Sequence, residues 1–230
     1  MPFYYYFDPT VIIILPALIF TIWAQVNVNS TFEKYKKVKT DSAITGRDAA
    51  RRILDANGLY DVRIERIAGN LTDHYDPRSN VIRLSDAVHD STSAAAVGVA
   101  AHEAGHAVQH STGYFPIKIR QAIIPATKLG SSLAMPLFLI GILLSAAPLM
   151  YAGIIFYALA TVFQLVTLPV EFNASRRAMA ALESGRDLTS RELMASRRVL
   201  TAAALTYVAA LATSLLTLLR LIVLANGRRR

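Results

Sequence analysis

The residues best suited to do chemistry are His102, Glu103 and His106, which form a His-Glu-x-x-His motif within the stretch Val97 to Gln109. On a helix, residues four apart lie on one face, so both imidazoles can point at one position in space. Neutral imidazole is a good Zn²⁺ ligand. Glu103 follows the first histidine, where its carboxylate can reach a water bound to the same ion. The spacing therefore predicts two zinc ligands and a general base, the arrangement of a metalloprotease.

A helix rich in alanine could also carry two histidines for structural reasons alone. The joint occurrence of His, Glu and His at this spacing, in a helical context, favours the zinc hydrolase. The helix is predicted to begin after Ser91 or Thr92 as N-cap and to end near Ser111, with Gly113 as its stop.

A catalytic zinc usually takes three protein ligands and keeps one position for water. The candidates for the third ligand are His74, His89, His110 and Glu171. His110 is excluded because it lies about 12 Å along the helix axis from His102, too far for one ion to bridge.

Glu171 is the best of these candidates. A carboxylate at the end of an apolar run is costly unless it is paired or bound to a cation. A membrane hairpin that crosses and returns should also bring it back to the membrane face of the motif helix. In the alternative interpretation, Glu171 reaches the interface and pairs with Arg176 or Arg177.

The composition points to a membrane protein. The 230 residues are 53% hydrophobic, with a formal net charge of +8 and no cysteine. Thiolate ligands and disulfides are therefore excluded, and a His/carboxylate zinc site remains. A basic chain suggests nucleic acid or a membrane surface, and the apolar runs favour the lipid bilayer, with no nucleic-acid partner. The lack of cysteine fits a cytoplasmic active site.

Apolar segments predict about four membrane passes. Residues 9–26 are long enough to span, and the aromatic residues 3–7 favour the interface. A cleaved signal peptide is the competing interpretation, but a basic n-region and an A-x-A-like site are both missing. Residues 129–150 and 151–170 predict a helical hairpin with its turn at Pro148, and residues 199–224 form the fourth apolar segment.

Two alternating stretches, residues 62–67 and 81–84, predict strands, with extended residues 70–75 and a turn at 76–80 between them. The expected fold is mainly α with a small antiparallel β-sheet, a membrane-anchored zincin-like domain with transmembrane helices.

The sheet edge could hold the substrate as an added strand, or the sheet could be purely structural. Candidate substrate-edge residues are Asn80 and Arg83, and candidate oxyanion donors are His74, Tyr75, Arg177 and Tyr207.

The chain divides into five predicted segments. Two helix starts are predicted from Thr45 with Asp48, and from the capping box of Thr189 and Glu192. The segments are an N-terminal anchor (1–26), a zincin-like domain with sheet and motif helix (27–128), a transmembrane hairpin (129–170), a helix with the third ligand (171–198), and a fourth apolar helix with a basic tail (199–230).

The stretches DHYDPRSNVIRLS, AAHEAGHAVQH, LPVEFNASRRA and AAALTYVAA resemble the YugP-type neutral zinc metallopeptidases, from about residue 41 to 210. The layout is also that of the membrane gluzincins, which include the heat-shock protease HtpX and the CAAX prenyl proteases. The resemblance implies His102, His106 and Glu171 on zinc, with Glu103 as base. HtpX-like enzymes usually have Asp four residues after the ligand Glu, where this chain has Ser175. A contact that orients a zinc-bound histidine is therefore expected from another group.

The sequence thus predicts a membrane-embedded zinc endopeptidase acting on a peptide or protein substrate, expected to be membrane-associated. One alternative is a site-2-type intramembrane protease with the motif helix in lipid. That class draws its third ligand from a later membrane Asp, and no Asp follows Asp187. Another is a non-catalytic, zinc-stabilised membrane scaffold. Glu103 argues against it, because a structural site needs no base.

Charge distribution predicts the orientation in the cell membrane. Of the 24 Lys and Arg residues, 14 lie in residues 27–128 and 6 in residues 171–200, so both segments should be cytoplasmic. If residues 199–224 span, Arg228 to Arg230 end up outside. Alternatively, that segment is shallow or packed on the protein.

Overall fold

The computed structural model of the chain describes residues 8–227, so the aromatic residues 3–7 and the tail Arg228 to Arg230 lie outside the described residues. The protein is mainly helical with one small sheet. In chain order the elements are α1 (Val11–Tyr35), α2 (Gly46–Ala56), β1 (Arg63–Ile67), β2 (His74–Asp76), β3 (Val81–Ser85), α3 (Ala94–Ser111), α4 (Phe115–Leu143), α5 (Ala147–Gly185) and α6 (Ser190–Gly227).

Among residues 8–227, four helices are long and apolar enough to cross a membrane: α1, α4, α5 and α6. About 20 residues suffice for the hydrocarbon core, and α5 and α6 have 39 and 38 residues. These two helices therefore extend well beyond a membrane crossing. The finding confirms the multi-pass prediction, and α3, which carries the motif, is not one of the four.

The helices run unbroken through several predicted segment borders. The borders after residues 26, 128, 170 and 198 fall inside α1, α4, α5 and α6, respectively. The turn between α4 and α5 lies at residues 144–146, where Ser145 has a φ of 51°. Pro148 is therefore not the turn residue. It stands in the first turn of α5, where its missing N–H would have no helical acceptor.

The chain forms two compact units. Within residues 8–227, the first unit contains residues 8–24, 119–168 and 206–227. It is built from the apolar parts of α1, α4, α5 and α6, and Phe138 and Met150 are central to its core. Large apolar side chains on its helices are exposed, as expected for a lipid-facing surface. Hydroxyl groups pair inside it, with Thr161 Oγ1 2.8 Å from Ser214 Oγ.

The second unit contains residues 25–118 and 169–205 and holds the larger core. Its centre is α3, whose alanines on several faces are almost completely buried. Helices that are apolar all round are normally enclosed, and α3 is enclosed by protein. Around it lie α2, the sheet and the adjoining ends of α1, α5 and α6.

The sheet is mixed and not antiparallel throughout, which corrects the prediction. The strand order is β1-β3-β2, with β2 antiparallel and β1 parallel to β3. The chain reverses after β1, near Gly69 (φ +114°), and again before β3, near Asn80 (φ 54°). Two reversals give β3 the direction of β1, and β3 lies between the other strands. The positions of β1 and β3 agree with the two predicted strands, whereas β2 was predicted only as an extended stretch followed by a turn at Asp76. In the observed order β2 is left at an edge.

Two of the predicted helix starts are confirmed. Thr45 Oγ1 accepts the Asp48 N–H at 3.1 Å, and Glu192 Oε2 accepts the Thr189 N–H at 2.8 Å. Glu192 is buried, and its other oxygen accepts the Asp41 N–H at 2.8 Å. Glu192 of the capping box thus also fixes the loop before α2.

The N-cap of α3 is Ser93, and not Ser91 or Thr92 as predicted. Ser93 Oγ accepts the Ala96 N–H at 3.2 Å, whereas Ser91 Oγ is hydrogen-bonded to Ser93. The predicted end is confirmed, since α3 ends at Ser111 and Gly113 has a φ of +65°.

Glycine lets α3 and α5 approach closely at the motif. A Cβ added at Gly105 would lie 2.6 Å from the Ala174 carbonyl oxygen, far inside van der Waals contact. A backbone carbonyl within a helix cannot swing away as a side chain can. Gly105 therefore sets the spacing between the helix of His102 and His106 and the helix of Glu171.

Gly105→Ala should force α3 and α5 apart. We expect a loss of about 1–3 kcal/mol in the free energy of unfolding, the range for overpacking, together with weaker zinc binding. Thermal unfolding in detergent and chelator competition would measure the two effects. Gly227→Ala is the matched control, since no atom of residues 8–227 lies within 4 Å of its added Cβ. Unchanged stability and zinc affinity in Gly105→Ala would contradict the prediction.

Candidate metal centre

Three potential ligand atoms converge between α3 and α5. His102 and His106 lie one turn apart on α3, and Glu171 lies on α5. Glu171 Oε2 is 3.2 Å from His102 Nε2 and 3.4 Å from His106 Nε2. One ligand atom from each residue lies within 4.8 Å of the other two. The structure thus brings Glu171, the preferred third candidate, next to both histidines, and these residues form a group that could hold a metal ion.

The distances fit a zinc ion. With ligand bonds of about 2.0–2.2 Å and tetrahedral angles, two ligand atoms of one zinc are separated by about 3.3–3.6 Å. The two imidazole–carboxylate distances of 3.2 and 3.4 Å are close to that separation. Glu171 is only 2% exposed, and a carboxylate buried to that extent requires a cation or a proton nearby. Two imidazoles and one carboxylate form a donor set known from catalytic zinc sites.

His102 is oriented by Ser175. Ser175 Oγ lies 3.1 Å from His102 Nδ1, one helical turn beyond Glu171 on α5. For His102 the contact that was expected from another group is therefore made by Ser175 itself. The shorter hydroxyl side chain of serine reaches the imidazole because α5 lies close to α3 at Gly105. The contact leaves His102 Nε2 directed at Glu171.

His106 is oriented by Gln109, which is completely buried. The Gln109 amide nitrogen donates to the Val170 carbonyl at 2.8 Å and to Asn173 Oδ1 at 3.0 Å. A carbonyl can only accept, so the amide orientation is fixed. Gln109 Oε1 then faces His106 Nδ1 at 3.0 Å and must accept its proton. His106 Nε2 is left with its lone pair, which is the form that ligates a metal.

Electrostatics favour a cation at the same place. Burial lowers the pKa of His106, but the hydrogen bond and the charge of Glu171 raise this pKa more, so that it lies above its ordinary value. The raised pKa means that the carboxylate favours positive charge at this position. A divalent ion would supply that charge on a neutral imidazole, because metal ligands must be deprotonated.

Glu103 lies beside the group but faces the sheet. It is 8% exposed, and its Oε2 accepts the backbone N–H of Tyr75 on β2 at 2.9 Å. Asp73 precedes β2 and accepts from the N–H and the hydroxyl of Ser85. Burial raises the pKa of Asp73, the Ser85 hydrogen bonds lower it, and the charge of Glu103 raises it further. The motif carboxylate therefore contacts the edge strand of the sheet.

The remaining predicted residues lie in different places. Asn80 accepts from the Tyr75 hydroxyl and donates to Asp61, and Arg83 pairs with Asp76 and Glu65. Both are thus engaged within the sheet and its turns.

Among the candidate oxyanion donors, the imidazole of His74 lies 2.9 Å from the Thr72 carbonyl oxygen. Arg177 donates to Asn173 Oδ1 at 2.9 Å, so it joins the Gln109 network. Tyr207 belongs to the first compact unit, whereas the potential metal ligands belong to the second.

Sequence reasoning missed two orienting side chains. Gln109 is three residues after His106 and Ser175 is four after Glu171, so helical spacing places each on the same face as a ligand candidate. That spacing was the available signal. The hydrogen bond from the Tyr75 N–H to Glu103 could not be predicted from residue types, because it uses a backbone group.

Comparison with known proteins agrees with this geometry. The model of a family described as "Putative neutral zinc metallopeptidase" matches residues 10–226. The protein described as "Putative membrane protease YugP" from Bacillus subtilis (strain 168) is 49% identical over 215 residues, which cover 93% of this chain and 96% of the relative. No solved structure matches the chain.

Gln109→Leu should weaken zinc binding about 10- to 100-fold, because it removes the acceptor that fixes the tautomer and ring orientation of His106. Chelator competition would measure the dissociation constant. Ser111→Ala is the control on the same helix, since the Ser111 hydroxyl donates to the Val108 carbonyl of its own helix. Equal zinc affinity in Gln109→Leu and the unchanged protein would refute the role of Gln109.

Proposed function

Because the chain belongs to the neutral zinc metallopeptidase family matched over residues 10–226, we propose that it is a membrane-embedded, zinc-dependent endopeptidase. One observation carries the proposal. Two imidazoles and a buried carboxylate converge at distances suited to zinc, while Glu103 lies next to them against an edge strand.

We propose that His102, His106 and Glu171 hold the zinc ion. When bound, the zinc lowers the pKa of its water and polarises the peptide carbonyl. Ser175 and Gln109 keep the two imidazoles in the orientation and tautomer that this role requires. Their contacts mean that little reorganisation is needed when the ion binds.

Glu103 acts as the general base. It takes the proton of the attacking water and later delivers it to the leaving amine. The position of Glu103 on α3, directly after His102, supports this role because it places the carboxylate beside a proposed zinc ligand. Its burial also limits the number of waters that compete for it.

The substrate is a peptide or protein bound as an extended strand. The order β1-β3-β2 leaves β2 with one unpaired edge, and Glu103 contacts that strand. A peptide added there would gain main-chain hydrogen bonds beside the proposed base. Membrane association of the substrate agrees with the apolar spans of the same chain.

The structure does not favour the site-2-type alternative. α3 packs inside the core of the second unit and is not one of the four helices, among residues 8–227, that could span a membrane. Its apolar residues meet protein and not lipid. The third potential ligand is Glu171, whereas the site-2 class uses an Asp.

We propose that the active site is cytoplasmic, as in the orientation predicted from charge. Basic residues are concentrated in residues 27–128 and 171–200, and these ranges contain most of the second compact unit. Under the positive-inside rule that unit faces the cytoplasm.

Glu103→Gln should lower casein cleavage in detergent by about 10²- to 10⁴-fold, the usual contribution of a general base. Bound zinc, measured by metal analysis, should remain at the original stoichiometry, and chelator should abolish cleavage by the unchanged protein. Glu33→Gln, at an exposed site, is the control. Persisting activity in Glu103→Gln would refute the assigned role.

The chain has no cysteine, so single cysteines can report its orientation. Tyr60 of the second unit is 75% exposed, and Leu144 in the turn before α5 is 65% exposed. In intact cells, an impermeant maleimide should label Leu144→Cys but should label Tyr60→Cys only after permeabilisation. The reverse pattern would place the active site outside.

A further inference from the structure

The edge of the sheet beside Glu103 offers few backbone hydrogen-bonding groups to a bound peptide. β2 has three residues, and it pairs with β3 in antiparallel register, His74 with Arg83, Tyr75 with Ile82 and Asp76 with Val81. In such a ladder the hydrogen-bonding groups of successive residues point alternately towards and away from the partner strand. The Tyr75 N–H points away from β3, because it donates to Glu103.

Within β2, therefore, Tyr75 alone turns both of its backbone groups to the open edge. An added strand would use the Tyr75 N–H as donor and the Tyr75 carbonyl as acceptor. The donor is already taken, since Glu103 Oε2 lies 2.9 Å from the Tyr75 nitrogen. The proposed base and an incoming peptide carbonyl thus compete for one N–H group.

We propose that the Tyr75 N–H passes from Glu103 to a carbonyl of the bound peptide, so that binding of the peptide releases the carboxylate of Glu103 for proton transfer. This inference rests on the proposed peptidase function. In the free protein Glu103 is held against β2. In the complex the peptide strand occupies that donor, and Glu103 turns to the water. Binding in the correct register and activation of the base become the same event.

The test compares two variants that lack the Glu103 carboxylate and differ in whether they can accept a hydrogen bond from the Tyr75 N–H. Glu103→Gln keeps an amide oxygen that can accept from the Tyr75 N–H, whereas Glu103→Met has similar size but no such acceptor. Both are neutral, so charge does not differ. We expect zinc-loaded Glu103→Met to bind fluorescein-labelled β-casein about 2- to 10-fold more tightly than Glu103→Gln, the equivalent of one neutral hydrogen bond.

The same comparison is then made with Tyr75→Pro, which removes the N–H and keeps the carbonyl. Proline is tolerated on an edge strand where the N–H faces away from the partner strand. The affinity difference should disappear in Tyr75→Pro and persist in Tyr75→Ala, which lacks the same side chain but keeps the N–H. A difference that persists in Tyr75→Pro, or equal affinities of the Gln and Met variants, would overturn the proposal.

Hydrogen–deuterium exchange of the Tyr75 amide gives a second readout if Tyr75→Pro does not fold. The amide should exchange slowly in the unchanged protein, faster in Glu103→Met, and slowly again when β-casein is added to Glu103→Met. Equal exchange in Glu103→Met with and without β-casein would refute the transfer. Cleavage of β-casein by either Glu103 variant, checked on a gel of the same samples, would instead count against Glu103 as base in the proposed function.

Discussion

The close contact between α3 and α5 is the constraint on which the rest of the site depends. A Cβ added at Gly105 on α3 would lie 2.6 Å from the Ala174 carbonyl oxygen of α5, so the two helix backbones are closer here than a larger side chain would allow. Only at this separation can one oxygen of Glu171 lie within 3.4 Å of two imidazole nitrogens. Small residues at a helix contact usually serve packing alone. Here they also determine the distances among three potential metal ligands, so the core and the site cannot change independently.

A buried carboxylate between two imidazoles is costly unless every polar atom around it has a partner. The hydrogen bonds of Ser175 and Gln109 meet this need, since each imidazole uses its Nδ1 for orientation and keeps its Nε2 for Glu171. Gln109 in turn is held by the Val170 carbonyl and Asn173, on the turns of α5 that flank Glu171. The helix α5 therefore supplies the third potential ligand, the serine that orients His102 and the two groups that hold Gln109 against His106.

Much of this arrangement could be predicted from the sequence because it depends on helical periodicity. The motif spacing and the caps at Thr45 and Thr189 are local patterns, whereas the return of Glu171 was expected from the apolar hairpin; the structure contains all of them. The mixed sheet was missed because alternation marks a strand but does not tell with which neighbour, or in which direction, it pairs. The turn at 144–146 was misplaced because Pro148 also suits the first turn of a helix.

The unpredicted pairing matters for the proposed chemistry. In a simple antiparallel meander β2 would lie in the middle of the sheet, with both edges paired. The order β1-β3-β2 leaves β2 at an edge, next to α3, so that its backbone reaches Glu103. A three-residue edge presents little unpaired backbone, which limits unwanted strand association. It also gives a bound peptide few main-chain hydrogen bonds, so discrimination among peptides must come largely from side-chain contacts around the edge and not from the length of the added strand.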